Sequence, residues 1–211
     1  MQVLSHRGYW KTPEEKNKRI AFTRSFDLGF GTETDLRDLA GTLVVSHDPP
    51  EDRQLTASEM AAIHDMINPS LTLALNVKAD GLQEMTKALF EKHSMSDAFV
   101  FDMSIPDAIQ WANAGIPFFT RQSDVEPEPN LYASAAGVWL DAFYSDWWTV
   151  DVISRHLDAG KRVCVVSPDL HKRDHKPAWN MLASSDVSRH SDVLICTDYP
   201  EAAKGCFVDA S

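Results

Sequence analysis

Two short segments near the start of the chain concentrate residue types that can do chemistry. Ser5-His6-Arg7-Gly8 ends one short apolar run, and Gly31 to Asp35 leads on to His47 and Asp48. Together they supply two histidines, two carboxylates spaced i, i+2 and one arginine. Residues of these types can bind a divalent metal and a phosphate group. They can also transfer protons to and from the two oxygens involved when a P–O bond breaks.

Glu33 and Asp35 are the candidate metal ligands. They lie in a predicted strand over 32–36, where residues two apart share one side. Hard cations such as Mg²⁺ and Ca²⁺ prefer oxygen ligands, so two carboxylates at the end of a strand favour such a site. The alternatives are a solvated strand edge or a carboxylate paired with Arg37.

His6 and His47 are the candidate acid and base, because an imidazole titrates close to neutral pH. Cleavage of a phosphodiester needs one group that takes a proton from the attacking oxygen and one that gives a proton to the departing alkoxide. A structural role for either histidine is the alternative.

Arg7 and Lys78 are the candidate phosphate ligands, Arg as a planar fork of donors and Lys as a point charge. Lys78 follows the apolar run that ends in Asn76-Val77, so Asn76 and Lys78 are expected on one side of the strand. A surface lysine after a strand is the alternative for Lys78.

Strand-like and helix-like segments alternate along the whole chain. This pattern indicates a mostly parallel sheet with helices packed outside it, with eight barrel-type strands if 43–46 extends the second. We expect one domain over 1–211, with the polar residues that end the strands converging at one edge. The predicted strands are 3–5, 32–36, 43–46, 71–77, 99–103, 116–120, 137–141, 162–167 and 193–197, and the predicted helices are 16–28, 58–67, 82–93, 104–114, 150–159, 177–184 and 200–204.

Composition limits the partners and the compartment. The 211 residues carry a formal net charge of −11, which argues against nucleic acid and anionic membrane surfaces as partners. We expect no transmembrane segment, since no apolar run approaches the ~20 residues of a spanning helix, and no signal peptide. Cys164 and Cys196 lie in apolar runs and the cysteine count is odd, so we expect thiols and a cytoplasmic location.

Aromatic residues follow the predicted strand 137–141. Trp139 precedes Asp141, and Trp147 and Trp148 lie in the next loop. Such a cluster could cover the sugar or glycerol part of a substrate, and we name Trp139 as a candidate substrate-binding residue. The alternative is that these rings belong to the core.

These residues together resemble the glycerophosphodiester phosphodiesterase family, part of a superfamily of barrel phosphodiesterases that includes the phosphatidylinositol-specific phospholipases C. The resemblance is strongest over residues 1–50. The matching segments are His6-Arg7-Gly8 for His-Arg-Gly, Glu33-Thr34-Asp35 for Glu-x-Asp, the apolar run into His47-Asp48, Asn17 at the place of Glu-Asn-Thr, and Thr197-Asp198-Tyr199-Pro200 for Thr-Asp-x-Pro.

The resemblance implies a single compact (β/α)8 TIM barrel with one divalent cation, Mg²⁺ or Ca²⁺. It implies that His6 and His47 are the acid–base pair. It also implies that Glu33 and Asp35 bind the metal and that Arg7 and Lys78 contact phosphate.

The chain departs from the family pattern at two places. Asn76-Val77-Lys78 stands where the family has Glu-x-Lys, so Asn76 would offer the metal an amide oxygen without charge. We therefore expect weaker metal binding, or reliance on the substrate phosphate as a further ligand. Lys16-Asn17-Lys18 stands where the family has Glu-Asn-Thr.

The leading hypothesis is a metal-dependent hydrolase of lipid metabolism that acts on a glycerophosphodiester or a similar small alcohol or sugar phosphodiester. One alternative is a phospholipase-type lyase that releases a cyclic phosphate. The other is a barrel that binds a phosphorylated ligand without turnover. The sequence leaves the physiological substrate, the cation and the oligomeric state open.

Overall fold

The computed structural model describes residues 1–208, and residues 209–211 of the predicted domain lie outside this part. Strands and helices alternate along most of it, but no helix separates β2 from β3 or β6 from β7. In chain order they are β1 Gln2–His6, α1 Arg19–Asp27, β2 Gly31–Leu39, β3 Thr42–Val45, α2 Ala57–Ile67, β4 Leu73–Val77, α3 Gln83–Lys92, β5 Ala98–Phe101, α4 Ile105–Asn113, β6 Phe118–Gln122, β7 Gly137–Leu140, α5 Val150–Asp158, β8 Arg162–Val166, α6 Lys176–Ala183, β9 Val193–Thr197 and α7 Pro200–Phe207.

The contacts divide the described chain into two compact units. The N-terminal unit is Ser5–Phe118. The C-terminal unit is Met1–Leu4 together with the described residues from Phe119 onward. The single domain expected over 1–211 stays a prediction.

The sheet of the N-terminal unit is built around β2. β2 runs parallel to β4, which in turn runs parallel to β5. Every residue of β4 is buried, which is usual for a parallel strand covered on both faces. Helix α2 begins at the Thr56 capping box with Glu59.

The far half of β2 forms a hairpin with β3. Leu36 to Leu39 pair antiparallel with Thr42 to Val45, and the two-residue loop has Ala40 at φ 49° and Gly41 at φ 79°. Positive φ at both loop positions is what a two-residue type I′ hairpin requires. The segment 43–46 is therefore an antiparallel partner of β2 rather than an extension of it.

The C-terminal unit repeats the alternation. Strands β6, β7, β8 and β9 pair in that order and run parallel. Cys164 and Cys196 lie buried inside β8 and β9, and neither is in a disulfide. Within 1–208, no helix is long and apolar enough to cross a membrane.

Candidate functional site

The turn between β1 and α1 places the first two candidate residues. Arg7 has φ 59° and Gly8 has φ 77°, so the chain passes through two consecutive left-handed residues after His6. A Cβ on Gly8 would lie 2.8 Å from Ala21 Cβ and 2.9 Å from the Ala21 carbonyl carbon, so only glycine fits against α1. The backbone N–H of Arg7 then donates to the carbonyl oxygen of Glu33 at 2.9 Å and to its carboxylate at 3.2 Å.

Strand β2 carries two buried carboxylates on one face. Glu33 and Asp35 are 2% and 1% exposed, and Asp35 is in register with Asn76 of β4. Side chains of paired residues in adjacent strands project to the same face of the sheet. Asp35 and Asn76 are therefore direct neighbours.

Basic side chains surround the carboxylates. Arg7 Nε lies 3.2 Å from Asp35 Oδ2, and Lys78 Nζ lies 3.7 Å from Asp35 Oδ1. His6 Nε2 lies 3.9 Å from Glu33 Oε2. The N-terminal unit thus brings together His6, Arg7, Glu33, Asp35, Asn76 and Lys78. Arg37, the alternative partner for a carboxylate, instead donates from Nε to the carbonyl oxygen of His47.

Asn17 belongs to the cluster but was not among the predicted site residues. Its Nδ2 donates to Asp35 Oδ2 at 2.8 Å, and its Oδ1 accepts from Thr34 Oγ1 at 2.9 Å. Its φ is 58°, and its backbone N–H donates to Arg7 O. This left-handed residue explains why α1 begins at Arg19 and not at 16. The family resemblance marked the position of Asn17, but no local pattern indicated its contact with Asp35.

Asp102 is a second residue near the cluster that was not among the predicted site residues. It follows β5 with φ 72°, and its Oδ2 lies 3.8 Å from Lys78 Nζ. Lys78 therefore lies between two carboxylates, Asp35 and Asp102. The sequence indicated Asp102 only through its position at the end of a predicted parallel strand.

Glu33 and Asp35 lie buried close together, and this raises the proton affinity of Glu33. Burial, and then the charge of Asp35, raise the pKa of Glu33 from 4.5 to about 7. His6, Arg7 and Lys78 act in the opposite direction and do not offset this rise. Ionising Glu33 beside Asp35 in this buried site is therefore unfavourable.

Two buried oxygens of the cluster lack hydrogen bonds. They are Asp35 Oδ1 and Asn76 Oδ1, which lie on neighbouring strands. Buried acceptors are almost always satisfied, so an unsatisfied pair beside a second carboxylate fits a hard cation. Among the described residues, no group of three or more His, Cys, Asp or Glu side chains is arranged to hold a metal. The set that fits contains two carboxylates and one amide oxygen.

His47 follows the β2–β3 hairpin. Its side chain is about half exposed, and its Nδ1 lies 3.0 Å from Asp48 Oδ1. It shares with Arg7 and Asn17 the lining of a cleft of about 380 Å³. His47 is therefore open to solvent beside the buried cluster.

Trp139 lies in the C-terminal unit and is 4% exposed in β7. In the same unit Asp141 is buried, and its Oδ1 lies 2.7 Å from Nε2 of His171. The substrate-binding role of Trp139 stays a prediction.

The fold was compared with solved structures. A glycerophosphodiester phosphodiesterase from Agrobacterium tumefaciens superimposes with a TM-score of 0.69 at 18% identity over 98% of each chain. A phosphodiesterase from Oleispira antarctica, in complex with the product sn-glycerol-3-phosphate, gives 0.67 at 16% identity over 98% of this chain and 96% of that one. A Ca²⁺-dependent phosphatidylinositol-specific phospholipase C from Streptomyces antibioticus gives 0.59 at 12% identity over 96% and 95%.

These comparisons establish the fold as a (β/α)8 TIM barrel, as predicted. The resemblance to glycerophosphodiester phosphodiesterases and a phospholipase C seen in the sequence is thus found again in the structure. No model of a known protein family and no curated protein sequence matches the chain.

Proposed function

We propose that the protein is a metal-dependent phosphodiester hydrolase that acts on a glycerophosphodiester or a similar small alcohol or sugar phosphodiester. The observation that carries the proposal is the buried Glu33–Asp35 pair, with unsatisfied oxygens on Asp35 and Asn76 and with Arg7 and Lys78 beside it. The fold shared with several phosphodiesterases supports it.

Glu33, Asp35 and Asn76 would hold the divalent cation. A bound Mg²⁺ or Ca²⁺ supplies positive charge that polarises a phosphoryl oxygen and lowers the barrier to attack on phosphorus. Burial, and then the charge of Asp35, raise the pKa of Glu33 to about 7, and a bound cation would favour its ionised form. Asn17 fixes the orientation of Asp35 through its amide.

Arg7 and Lys78 would bind the non-bridging phosphate oxygens. Both side chains are about one-fifth exposed, so each can reach a ligand while its charge stays close to Asp35. Donors held in place before the substrate binds stabilise the charge that develops on those oxygens in the transition state. The turn at Arg7 and Gly8 provides that fixed position for Arg7.

His6 and His47 would transfer the protons. One takes the proton of the attacking water, and the other gives a proton to the oxygen of the departing alcohol, so the products are a phosphomonoester and an alcohol. Asp48 contacts Nδ1 of His47, which leaves Nε2 for the substrate.

The shared fold with a phosphatidylinositol-specific phospholipase C keeps a second function in consideration. In a lyase-type reaction a hydroxyl of the substrate attacks phosphorus, and a cyclic phosphate leaves instead of a phosphomonoester. The same histidines and basic side chains serve both routes.

We also propose that the protein is cytoplasmic, that it forms a single domain and that its partner is a small molecule.

Turnover of a panel of diesters tests the proposal. The panel is a chromogenic bis-aryl phosphate, glycerophosphocholine and glycerophosphoglycerol, each with Mg²⁺, Ca²⁺, Mn²⁺ or a chelator. We expect metal-dependent turnover that His6→Ala and His47→Ala each abolish and that His190→Ala, at an exposed histidine, retains. Phosphorus NMR of the product distinguishes a phosphomonoester from a cyclic phosphate. Folded protein that binds these diesters but turns over none with any metal would favour the non-catalytic alternative.

A further inference from the structure

A cleft of about 380 Å³ opens beside His47 in the N-terminal unit. Residues from 7–18 form one wall and residues from 46–54 form the other. Its volume is in the range of pockets that hold small ligands. Because Arg7 and His47 both line it, the cleft continues directly from the proposed reaction site.

Two lysines line this cleft on either side of Asn17. Lys16 and Lys18 both face it, and within 1–208 neither forms an ion pair with a carboxylate. Lys16 Nζ lies 4.3 Å from the centre of the Trp10 ring, a cation–π contact that positions it. The buried, left-handed Asn17 anchors the backbone between the two lysines.

The acidic residues near this wall are mostly engaged elsewhere. The Glu15 carboxylate is bound by Arg24 Nη1 at 2.8 Å and by the backbone N–H of Lys11. Asp48 is paired with His47. Glu51 is the remaining carboxylate of the lining, so the two lysines leave the cleft with a local excess of positive charge. In a chain of net charge −11, that excess marks a place for an anion.

We propose that Lys16 and Lys18 bind a second phosphate group of the substrate, carried on the alcohol beyond the reacting diester. This inference rests on the proposed phosphodiesterase function and narrows its substrate class. The reaction stays a hydrolysis: water adds to the phosphorus, the P–O bond to the alcohol breaks, and the alcohol leaves with a proton and with its own phosphate intact. A cationic alcohol such as choline would be disfavoured in the same place.

A preference ratio tests this inference. The ratio is kcat/KM for bis(glycerophospho)glycerol, which carries a second phosphate, divided by kcat/KM for glycerophosphoglycerol. We expect the protein to favour the former about tenfold, which corresponds to about 1.4 kcal/mol, because contacts to partly exposed charges are individually weak. K16Q/K18Q should bring the ratio close to one. K87Q/K204Q, which removes two exposed lysines that do not line the cleft, should keep the preference ratio unchanged.

Salt gives a second readout, because contacts to exposed lysines weaken as ionic strength rises. The preference ratio should fall between low salt and ~0.5 M salt in the wild-type chain, and it should change little in K16Q/K18Q. A wild-type ratio near one, or an unchanged ratio in K16Q/K18Q, overturns the inference while the phosphodiesterase proposal stands.

If no diester is turned over, the proposed function fails and direct binding still decides the inference. Calorimetry with the same two diesters on the His6→Ala protein should show about tenfold tighter binding of bis(glycerophospho)glycerol, lost on adding K16Q/K18Q. Equal binding of the two diesters, or no binding of either, overturns the inference.

Discussion

Replacing Glu33 by Gln should make the metal-free protein more stable at neutral and alkaline pH. Burial and the neighbouring Asp35 raise the pKa of Glu33 from 4.5 to about 7. One pKa unit corresponds to about 1.4 kcal/mol, so ionising this buried group in the folded protein costs roughly 3 kcal/mol. Gln has almost the same shape and carries no charge.

The sign of the effect follows from proton binding. The folded protein holds the Glu33 proton more tightly than the unfolded chain, so Glu33 contributes most to stability below pH 4.5. This contribution is lost as the pH rises from about 4.5 to about 7. The free energy of unfolding of E33Q should therefore match that of wild type near pH 4.5 and exceed it by roughly 3 kcal/mol at pH 8.

Urea unfolding followed by circular dichroism, in chelator from pH 4.5 to 8.5, measures this difference. Burial lowers the pKa of His64 and of His156, so each histidine favours the folded state in its neutral form. The stability that each contributes to the protein is lost as the pH falls below about 6.5. Both are present in each protein, so they cancel in the comparison. Glu91→Gln, at an exposed position, is the matched control and should show no pH-dependent gain.

A divalent cation provides the second arm of the assay. At pH 8, saturating Mg²⁺ or Ca²⁺ should raise the stability of wild type and should stabilise E33Q much less. If the free energies of unfolding of wild type and E33Q in chelator changed with pH in the same way, the electrostatic reasoning about the buried pair would be refuted. An equal gain from the cation in both proteins would remove Glu33 from the proposed ligand set.

Three further substitutions give separate tests. Gly8→Ala should lower the free energy of unfolding by roughly 3 kcal/mol, through its left-handed φ and its clash with Ala21, whereas Gly29→Ala, left-handed but in open space, should cost about 1 kcal/mol in the same urea assay. Asn17→Ala removes a buried donor to a carboxylate and should cost about 2 kcal/mol of stability, together with at least tenfold in diester turnover; unchanged turnover would exclude it as a positioning residue. Asn76→Asp should tighten cation binding measured by calorimetry and leave turnover equal or higher, and a large loss of turnover would mean that its amide donates a hydrogen bond.

Periodicity and residue spacing predicted much of the fold and part of the candidate site. The strand over 193–197 lies where it was expected. The i, i+2 spacing also predicted that Glu33 and Asp35 share one face of their strand, whereas the register that brings Asn76 beside Asp35 was not predicted. The predicted features depend on local backbone geometry, which the amino-acid pattern encodes directly.

The features that the sequence did not predict depend on tertiary contacts. Asn17 joins the cluster because its left-handed backbone bonds to Arg7 and its amide reaches Asp35, and neither contact is local in sequence. The direction of β3 is set by positive φ at Ala40 and Gly41. Alanine rarely adopts that conformation, so Ala40 gave no hairpin signal.

The β2–β3 hairpin also bears on the order in which the site is assembled. Asp35 and His47 flank a tight two-residue turn, and the backbone N–H of Ser46 donates to Asp35 O, so both come close through contacts made within a dozen residues. Hairpins of this kind close in microseconds, whereas pairings between distant segments form more slowly. Asn76 reaches Asp35 through the pairing of β4 with β2, and His6 lies near Glu33 although the two are far apart in sequence. The hairpin is thus expected to form first, as the local template on which the remaining residues of the site assemble.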